Sequence, residues 1–126
     1  MRIPVATRYA DYDTKGHVNN AVFLTYFEMA RHHAWVERMG GGADFPFILA
    51  EATVRYVSQA MIGEALDIEI TTAEVRTRAW VWSYVLRAAA DGRVVAEGRT
   101  VQVMFDYDGA RTIPIPDDVR ARLAAV

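Results

Sequence analysis

Apolar residues recur along the chain with two different periods, and the change of period divides it into a helix and strands. Between about residues 22 and 39 they recur at helical spacing and form one apolar face. Its members are Phe23, Tyr26, Phe27, Ala30 and Ala34, and the polar face carries Thr25, Glu28, Arg31, His32 and Arg38. Three glycines at residues 40–42 favour an end to the helix there. The pattern predicts one long helix.

Outside this helix, apolar and polar residues alternate, which is typical of strands with one buried face. The predicted strands cover residues 3–9, 47–59, 65–77, 79–89 and 94–107. A change of phase at Thr71–Thr72 predicts a bulge, Asp91–Gly92 predicts a hairpin, and Pro4 suits a sheet edge. Pro116 can open a short C-terminal helix. A strand, a long helix and then consecutive antiparallel strands make an α+β pattern.

One helix can cover only one face of such a sheet. The strands carry more aromatic and β-branched side chains than that helix can bury. We therefore expect the sheet to extend or pack across a subunit interface, which predicts at least a homodimer.

Composition narrows the class of protein. The chain has 126 residues, 52% of them hydrophobic and 24% charged, which predicts a single globular domain over 1–126. A net charge of −2 argues against nucleic-acid binding. The N-terminus lacks an apolar signal segment, and no run approaches ~18 continuous apolar residues, so we expect a cytoplasmic protein without membrane contact.

Metal and thiol chemistry have little support in the sequence. The chain contains no cysteine, which excludes disulfides, thiolate metal sites and a cysteine nucleophile. His32 and His33 are adjacent, so on a helix they point roughly 100° apart and cannot chelate one ion together. We expect neither a metal nor an organic cofactor.

The candidate chemistry lies in the loop before the helix. Asp11 and Asp13 favour tight turns, and Gly16 permits a positive φ. Asn19 or Asn20 is a suitable N-cap for the helix. A carboxylate beside a helix N-terminus can act as base or nucleophile, while the free backbone N–H groups stabilise negative charge.

With these residues the sequence resembles the 4-hydroxybenzoyl-CoA thioesterase-like branch of the hotdog-fold superfamily, in particular its small bacterial acyl-CoA thioesterases. The match is sharpest in Asp-Tyr-Asp-Thr-Lys-Gly-His-Val-Asn-Asn at residues 11–20 and in Tyr26-Phe27-Glu28. The resemblance implies a long helix wrapped by a curved antiparallel sheet of about five strands. It also implies dimers joined edge to edge, with active sites at their interface, and frequent tetramers. The implied activity is cofactor-free hydrolysis of an acyl-CoA thioester to free acid and CoA.

The resemblance also assigns roles to individual residues. Asp13 falls on the catalytic acid, as nucleophile or general base, and the backbone N–H of Asn20 falls on the oxyanion donor. His17 is either a site residue or a packed loop histidine, and Asp11 is expected to brace the loop. The expected substrate-binding residues are Asn19, Phe23, Phe27 and Tyr56, with Arg76 and Arg78 as a clamp for the CoA phosphates. Both arginines could instead be solvated strand charges.

Two other functions fit the same fold. Hotdog hydratases and dehydratases pair an acid with a histidine in Asp-x-Asn-Pro-x-His, whereas here Asp13 and His17 are one residue too close and Asn-Pro is absent. A non-catalytic protein that binds acyl-CoA or acyl carrier protein would need the same pocket, and the intact motif around Asp13 argues against it.

Overall fold

The computed structural model describes residues 1–42 and 44–126. The strands are β1 (Arg2–Val5), β2 (Phe47–Tyr56), β3 (Leu66–Val75), β4 (Ala79–Ala88), β5 (Val94–Asp106) and β6 (Arg111–Thr112). The helices are α1 (Val22–Met39) and α2 (Asp117–Leu123), and a 3₁₀ turn covers Tyr9–Asp11. The long strands form an antiparallel sheet in the order β1-β3-β4-β5-β2, and β6 adds a short pair to β5. The predicted α+β hotdog fold is confirmed.

Helix α1 lies across the sheet because its apolar face meets the buried faces of the strands. Phe27 is fully buried, and its ring stacks on that of Tyr84 in β4 at 4.8 Å between centroids. Gly98 in β5 makes room for this ring, since a Cβ atom there would overlap Phe27 Cε2. The helix ends at Gly40, within the glycine run that predicted its end, and Gly40 has a left-handed φ of 61°.

Several boundaries and positions differ from the sequence-based expectations. The first strand ends at Val5 rather than at residue 9, because the chain turns into the 3₁₀ helix and leaves Tyr9 exposed. Strand β2 ends at Tyr56 rather than at 59. The predicted bulge in β3 is present, one step later, between Thr72 and Glu74. Strand β6 was not predicted.

The start of α1 also corrects an expectation. The N-cap residue is Ala21, which has no side-chain acceptor, rather than Asn19 or Asn20. Asn19 nevertheless contributes, because its Oδ1 accepts the N–H of Ala21 at 3.0 Å. On the same helix, Arg31 belongs to the buried set and not to the solvent-facing one.

Strand β2 is the edge of the sheet on one side. It pairs with β5 only, so within the described chain its outer backbone groups have no strand partner. A register shift between Leu49 and Glu51 allows Phe47, before the bulge, and Tyr56, after it, both to contact residues on the α1 side. Leu49 and Tyr56 remain about half exposed. A long edge with exposed apolar side chains favours pairing with another strand.

Candidate active site

The loop before α1 is anchored by the buried carboxylate of Asp11. Its Oδ2 accepts hydrogen bonds from the Arg8 backbone N–H at 2.8 Å and the Tyr26 hydroxyl at 2.9 Å, and its Oδ1 accepts from the Arg8 guanidinium at 2.9 Å. Burial tends to raise the pKa of Asp11, but the hydrogen bonds from Arg8 and Tyr26 outweigh it and hold the pKa below its ordinary value. Asp11 therefore braces the loop, as expected from the sequence.

Asp13 lies at the exposed tip of the same loop. Its Oδ1 accepts the backbone N–H groups of Lys15 at 2.8 Å and His17 at 3.2 Å. These hydrogen bonds to the charged form, first that from Lys15, lower the pKa of Asp13 below its ordinary value. The left-handed φ of Gly16, 75°, closes the turn that brings the two N–H groups together. The carboxylate is therefore ionised at neutral pH.

Asp13 and Asn20 face one cavity of about 270 Å³. Its other lining residues are His17, Val18, Phe23, Tyr56, Val57, Ser58, Gln59 and Ala60. Within the described residues, the backbone N–H of Asn20 donates to no protein acceptor, whereas its carbonyl oxygen accepts the Tyr56 hydroxyl at 3.0 Å. Asp13, with its ionised carboxylate, and Asn20, with an N–H that no acceptor of the described chain uses, thus line one cavity beside the start of α1.

The two walls of this cavity are joined through the backbone. On one wall is the loop that carries Asp13, and on the other is the 57–62 segment that follows β2. The Val18 N–H donates to the Ala60 carbonyl at 2.9 Å, and the Ile62 N–H donates to the Gly16 carbonyl at 2.8 Å. His17 lies between them in a bridge with Met61. These contacts fix the separation of the walls without using side chains.

Sequence reasoning missed most of the second wall. Val57, Ser58, Gln59 and Ala60 line the cavity, but the alternating pattern assigned residues up to 59 to a strand and gave them no role. No motif marks this segment. The only usable signal is its position directly after the strand that carries Tyr56.

The expected substrate-binding residues divide into two groups. Phe23 and Tyr56 line the cavity with their rings 5.4 Å apart. Phe27 is placed elsewhere, in the core against Tyr84, because it is on the side of α1 that faces the sheet. Asn19 holds the start of the helix through Ala21 and is not among the lining residues.

Arg76 and Arg78 also lie away from this cavity. Arg76 is exposed and pairs with Glu74 at 2.8 Å, and Arg78 donates to the Thr112 carbonyl at 2.9 Å. Ala79, the next residue, pairs with Val103 of β5, whereas Tyr56 pairs with Ala96. The stretch of β5 from 96 to 103 spans about 23 Å. Within one chain the arginines and Asp13 are therefore at opposite ends of the sheet.

Histidine and carboxylate side chains do not converge on a metal site in the part of the chain that the structure describes. Among residues 1–42 and 44–126, no group of three or more of them is arranged to hold a metal ion. Over the same ranges, no helix combines the length and apolar character needed to cross a membrane.

Fold and site together define a thioesterase of the hotdog type. The chain matches the Thioesterase-like superfamily over residues 7–123, and it belongs to that family. The family predicted from the Asp13 loop, and with it the class of enzyme, a thioester hydrolase, is confirmed. The match also covers all the candidate site residues.

Individual relatives span nearly the same length. A thioesterase from Thermus thermophilus, crystallised with coenzyme A and Zn, is 30% identical with a TM-score of 0.86, covering 98% of this chain and 91% of its own. Long-chain acyl-CoA thioesterase FadM of Escherichia coli K12 is 21% identical over 131 residues, covering 98% and 96%. Acyl-CoA thioester hydrolase YbgC of Escherichia coli O6:H1 is 24% identical over 111 residues, covering 84% and 82%.

Proposed function

We propose that this protein is an acyl-CoA thioesterase, with Asp13 as the reacting carboxylate and the Asn20 backbone N–H as the oxyanion donor. The observation that carries the proposal is that Asp13 and Asn20 line the same cavity, and that the Asn20 N–H donates to no protein acceptor among the described residues. The acyl-CoA substrates named for FadM and YbgC and the coenzyme A in the Thermus structure support the substrate class.

The chemistry follows from the charge that develops on the substrate. Asp13 attacks the thioester carbonyl carbon or removes a proton from a water that does so. In both routes the carbonyl oxygen gains negative charge, which the Asn20 N–H and the positive end of α1 stabilise. Collapse of that intermediate breaks the carbon–sulfur bond and releases CoA as the thiolate. When Asp13 itself is the nucleophile, the acyl group remains on Asp13 as an anhydride, and water hydrolyses it to the free acid and the regenerated carboxylate. When Asp13 is the general base, the attacking water becomes part of the free acid directly.

A hydrolysis screen across short, long and aromatic acyl-CoAs tests this proposal directly. We expect release of free CoA from at least one class, detected with a thiol reagent, and its loss in Asp13→Asn. Binding of acyl-CoA without any turnover would instead favour a non-catalytic binding protein. Hydration of an enoyl-CoA would favour the hydratase alternative.

The dependence of the rate on pH reports the state of Asp13. The reaction needs the carboxylate, and the pKa of Asp13 is lowered, so kcat/KM should hold steady from neutral pH down to about 5 and fall only below about 4. Circular dichroism at each pH separates this loss from acid unfolding. An acidic limb centred above pH 5 would contradict an ionised, hydrogen-bonded Asp13 as the reacting group.

The exposed edge of β2 supports a homodimer in which two copies of this strand pair. A twofold axis perpendicular to the sheet makes them antiparallel, so the Tyr56 end of one copy lies beside the Phe47 end of the other. We expect at least a dimer in sedimentation velocity at micromolar concentration, and a homotetramer remains compatible with this edge contact. A monodisperse monomer would contradict the shared site.

The same arrangement gives Arg76 and Arg78 a place in binding. Both lie at the Phe47 end of the sheet, which the dimer brings towards the partner's Asp13 cavity. If they hold the CoA phosphates, Arg76→Ala and Arg78→Ala should raise KM with little change in kcat, since this binding is common to ground and transition states. Arg2→Ala, which removes an exposed, ion-paired arginine of β1 at the opposite edge of the sheet, is a matched control. An unchanged KM in both variants would make them solvated strand charges.

A further inference from the structure

A second and larger cavity lies between α1 and the beginning of β2. Its volume is about 440 Å³, and it shares no lining residue with the Asp13 cavity. Apolar and aromatic walls come from Phe45, Phe47, Leu49 and Tyr107. The polar lining residues are Glu28, Arg31, His32 and Asp44. The proposed hydrolysis at Asp13 gives this cavity no role.

Arg31 is the unusual member of this lining. Only 9% of the residue is exposed, and it is buried on α1 together with Phe27, Ala30 and Trp35. Among the described residues, no carboxylate comes within ion-pair distance of its guanidinium. Burial of a charge without a counter-charge is costly, so buried arginines are normally paired. Arg31 thus lines the cavity as a buried arginine without an ion-pair partner among the described residues.

The surroundings of Arg31 on the core side are polar but uncharged. The Tyr84 hydroxyl shares a hydrogen bond with the Thr100 hydroxyl at 2.7 Å, and Gln102 Oε1 is buried and has no hydrogen-bond partner among the described residues. Burial raises the pKa of the Tyr84 hydroxyl, and the positive charge of Arg31 together with hydrogen bonds involving Thr100, Arg31 and Gln102 opposes part of this rise. The core thus supplies neutral neighbours but no counter-charge to the guanidinium.

The exposed rim limits what can enter. Glu28, His32 and Asp44 are exposed, and the His32 ring stands edge-on to Phe45 at 4.9 Å. Two carboxylates at the rim disfavour a multiply charged group such as a phosphate. The walls favour an apolar body, and the guanidinium fork matches one carboxylate. The chemistry that fits is an apolar chain or ring that ends in a single carboxylate.

We propose that the Arg31 cavity binds a carboxylate at the far end of the acyl group, so that the enzyme prefers carboxyl-terminated acyl-CoA thioesters. This inference rests on the proposed thioesterase activity for its substrate, but the cavity and the buried guanidinium do not depend on it.

The proposed dimer supplies a path between the two cavities. Within one chain they lie towards opposite ends of β2, with Tyr56 at the Asp13 cavity and Phe47 and Leu49 at the Arg31 cavity. Antiparallel pairing of two β2 edges places the Leu49 end of one chain beside the Tyr56 end of its partner. An acyl group whose thioester is at the partner's Asp13 therefore extends towards Arg31 of this chain.

The test compares matched pairs of acyl-CoAs of equal chain length, one ending in a methyl group and the other in a carboxylate, over increasing lengths. In the wild-type enzyme we expect kcat/KM to favour the carboxylate member by about 10- to 100-fold at the length that reaches Arg31, the size expected for a charge-assisted hydrogen bond. In Arg31→Met the ratio should fall to about one. Arg38→Met, an exposed arginine of the same helix, should keep the wild-type ratio.

A second arm measures binding without turnover, as the shift in Tm caused by free monocarboxylates and by the carboxyl-terminated acyl-CoAs. A shift with the acyl-CoAs that is absent in Arg31→Met supports the site even if no thioester is hydrolysed, and then only the proposed activity fails. Stabilisation by free carboxylates combined with equal rates for both members of every pair would mean that the cavity holds a free acid, which overturns the inference. The inference is also overturned if the wild-type enzyme hydrolyses both members of every pair at equal rates and neither ligand class shifts its Tm. This outcome needs only the wild-type enzyme, so it stands whether or not Arg31→Met folds.

Discussion

Replacement of Asp13 by asparagine is expected to lower kcat by about 10²–10⁴-fold, the usual scale for a positioned catalytic acid or base. The change should leave the loop intact, because an asparagine Oδ1 can still accept the N–H groups of Lys15 and His17. The variant loses the negative charge of the side chain but keeps its size and shape. Steady-state kinetics on the best acyl-CoA of the screen, with KM or ligand-induced Tm shift as a check on binding, measure the effect.

Asp91→Asn is the matched control for this variant. Asp91 is also an exposed aspartate whose Oδ1 accepts a backbone N–H two residues ahead, that of Arg93 at 2.9 Å, but it lies in the β4–β5 hairpin. The Asp91→Asn enzyme should hydrolyse the substrate at the wild-type rate. Near-normal turnover in Asp13→Asn would refute the assignment and direct attention to Asp11 and His17.

Replacement of Phe27 by alanine is expected to lower the free energy of unfolding by about 3–5 kcal/mol, the range for truncation of a buried phenylalanine. The ring fills the space above Gly98 and stacks on Tyr84, so its removal leaves a cavity between the helix and the sheet. Denaturant titration measures the loss. The sequence analysis expected this residue to bind substrate, so the stability measurement also separates a core role from a pocket role.

Leu24→Ala gives the comparison on the same helix. Leu24 is 42% exposed, so its truncation should cost no more than about 1 kcal/mol. A Phe27→Ala protein of nearly wild-type stability but with a greatly raised KM would contradict the placement in the core. It would return Phe27 to the acyl pocket.

The hydrophobic pattern of the sequence was sufficient to predict the helices and strands in which buried and exposed residues alternate regularly. The period of α1 marked residues 22–39 because a helix packed on a sheet must place an apolar residue every three or four positions. The same reasoning failed for residues 6–9, where alternation continues although the chain has left the sheet. The sequence analysis assigned Arg31 to the polar face because charged side chains are usually exposed. Its position on the helix instead places it among the buried residues.

The candidate site was predictable only in part. The Asp13 loop has a local sequence pattern, since its contacts are made by residues close together in the chain: Asp13 accepts two backbone N–H groups, Gly16 turns the chain, and Asn19 accepts the N–H of Ala21. The 57–60 wall has none, because its residues reach the cavity through tertiary hydrogen bonds to the loop. Phe27 shows what the helical pattern cannot predict. The pattern identifies a buried face of the helix, but it does not distinguish a face that packs in the core from one that contacts a ligand.

The backbone contacts between the Asp13 loop and the 57–62 segment bear on how such an enzyme can change during evolution. Because carbonyl and N–H groups at Gly16, Val18, Ala60 and Ile62 hold the two walls together, the side chains at 57 and 59 are free to vary without displacing the acid. Mutation there can alter which acyl groups enter while the reacting carboxylate keeps its position. Descendants of one ancestral gene could thus acquire different substrates and retain the same reaction.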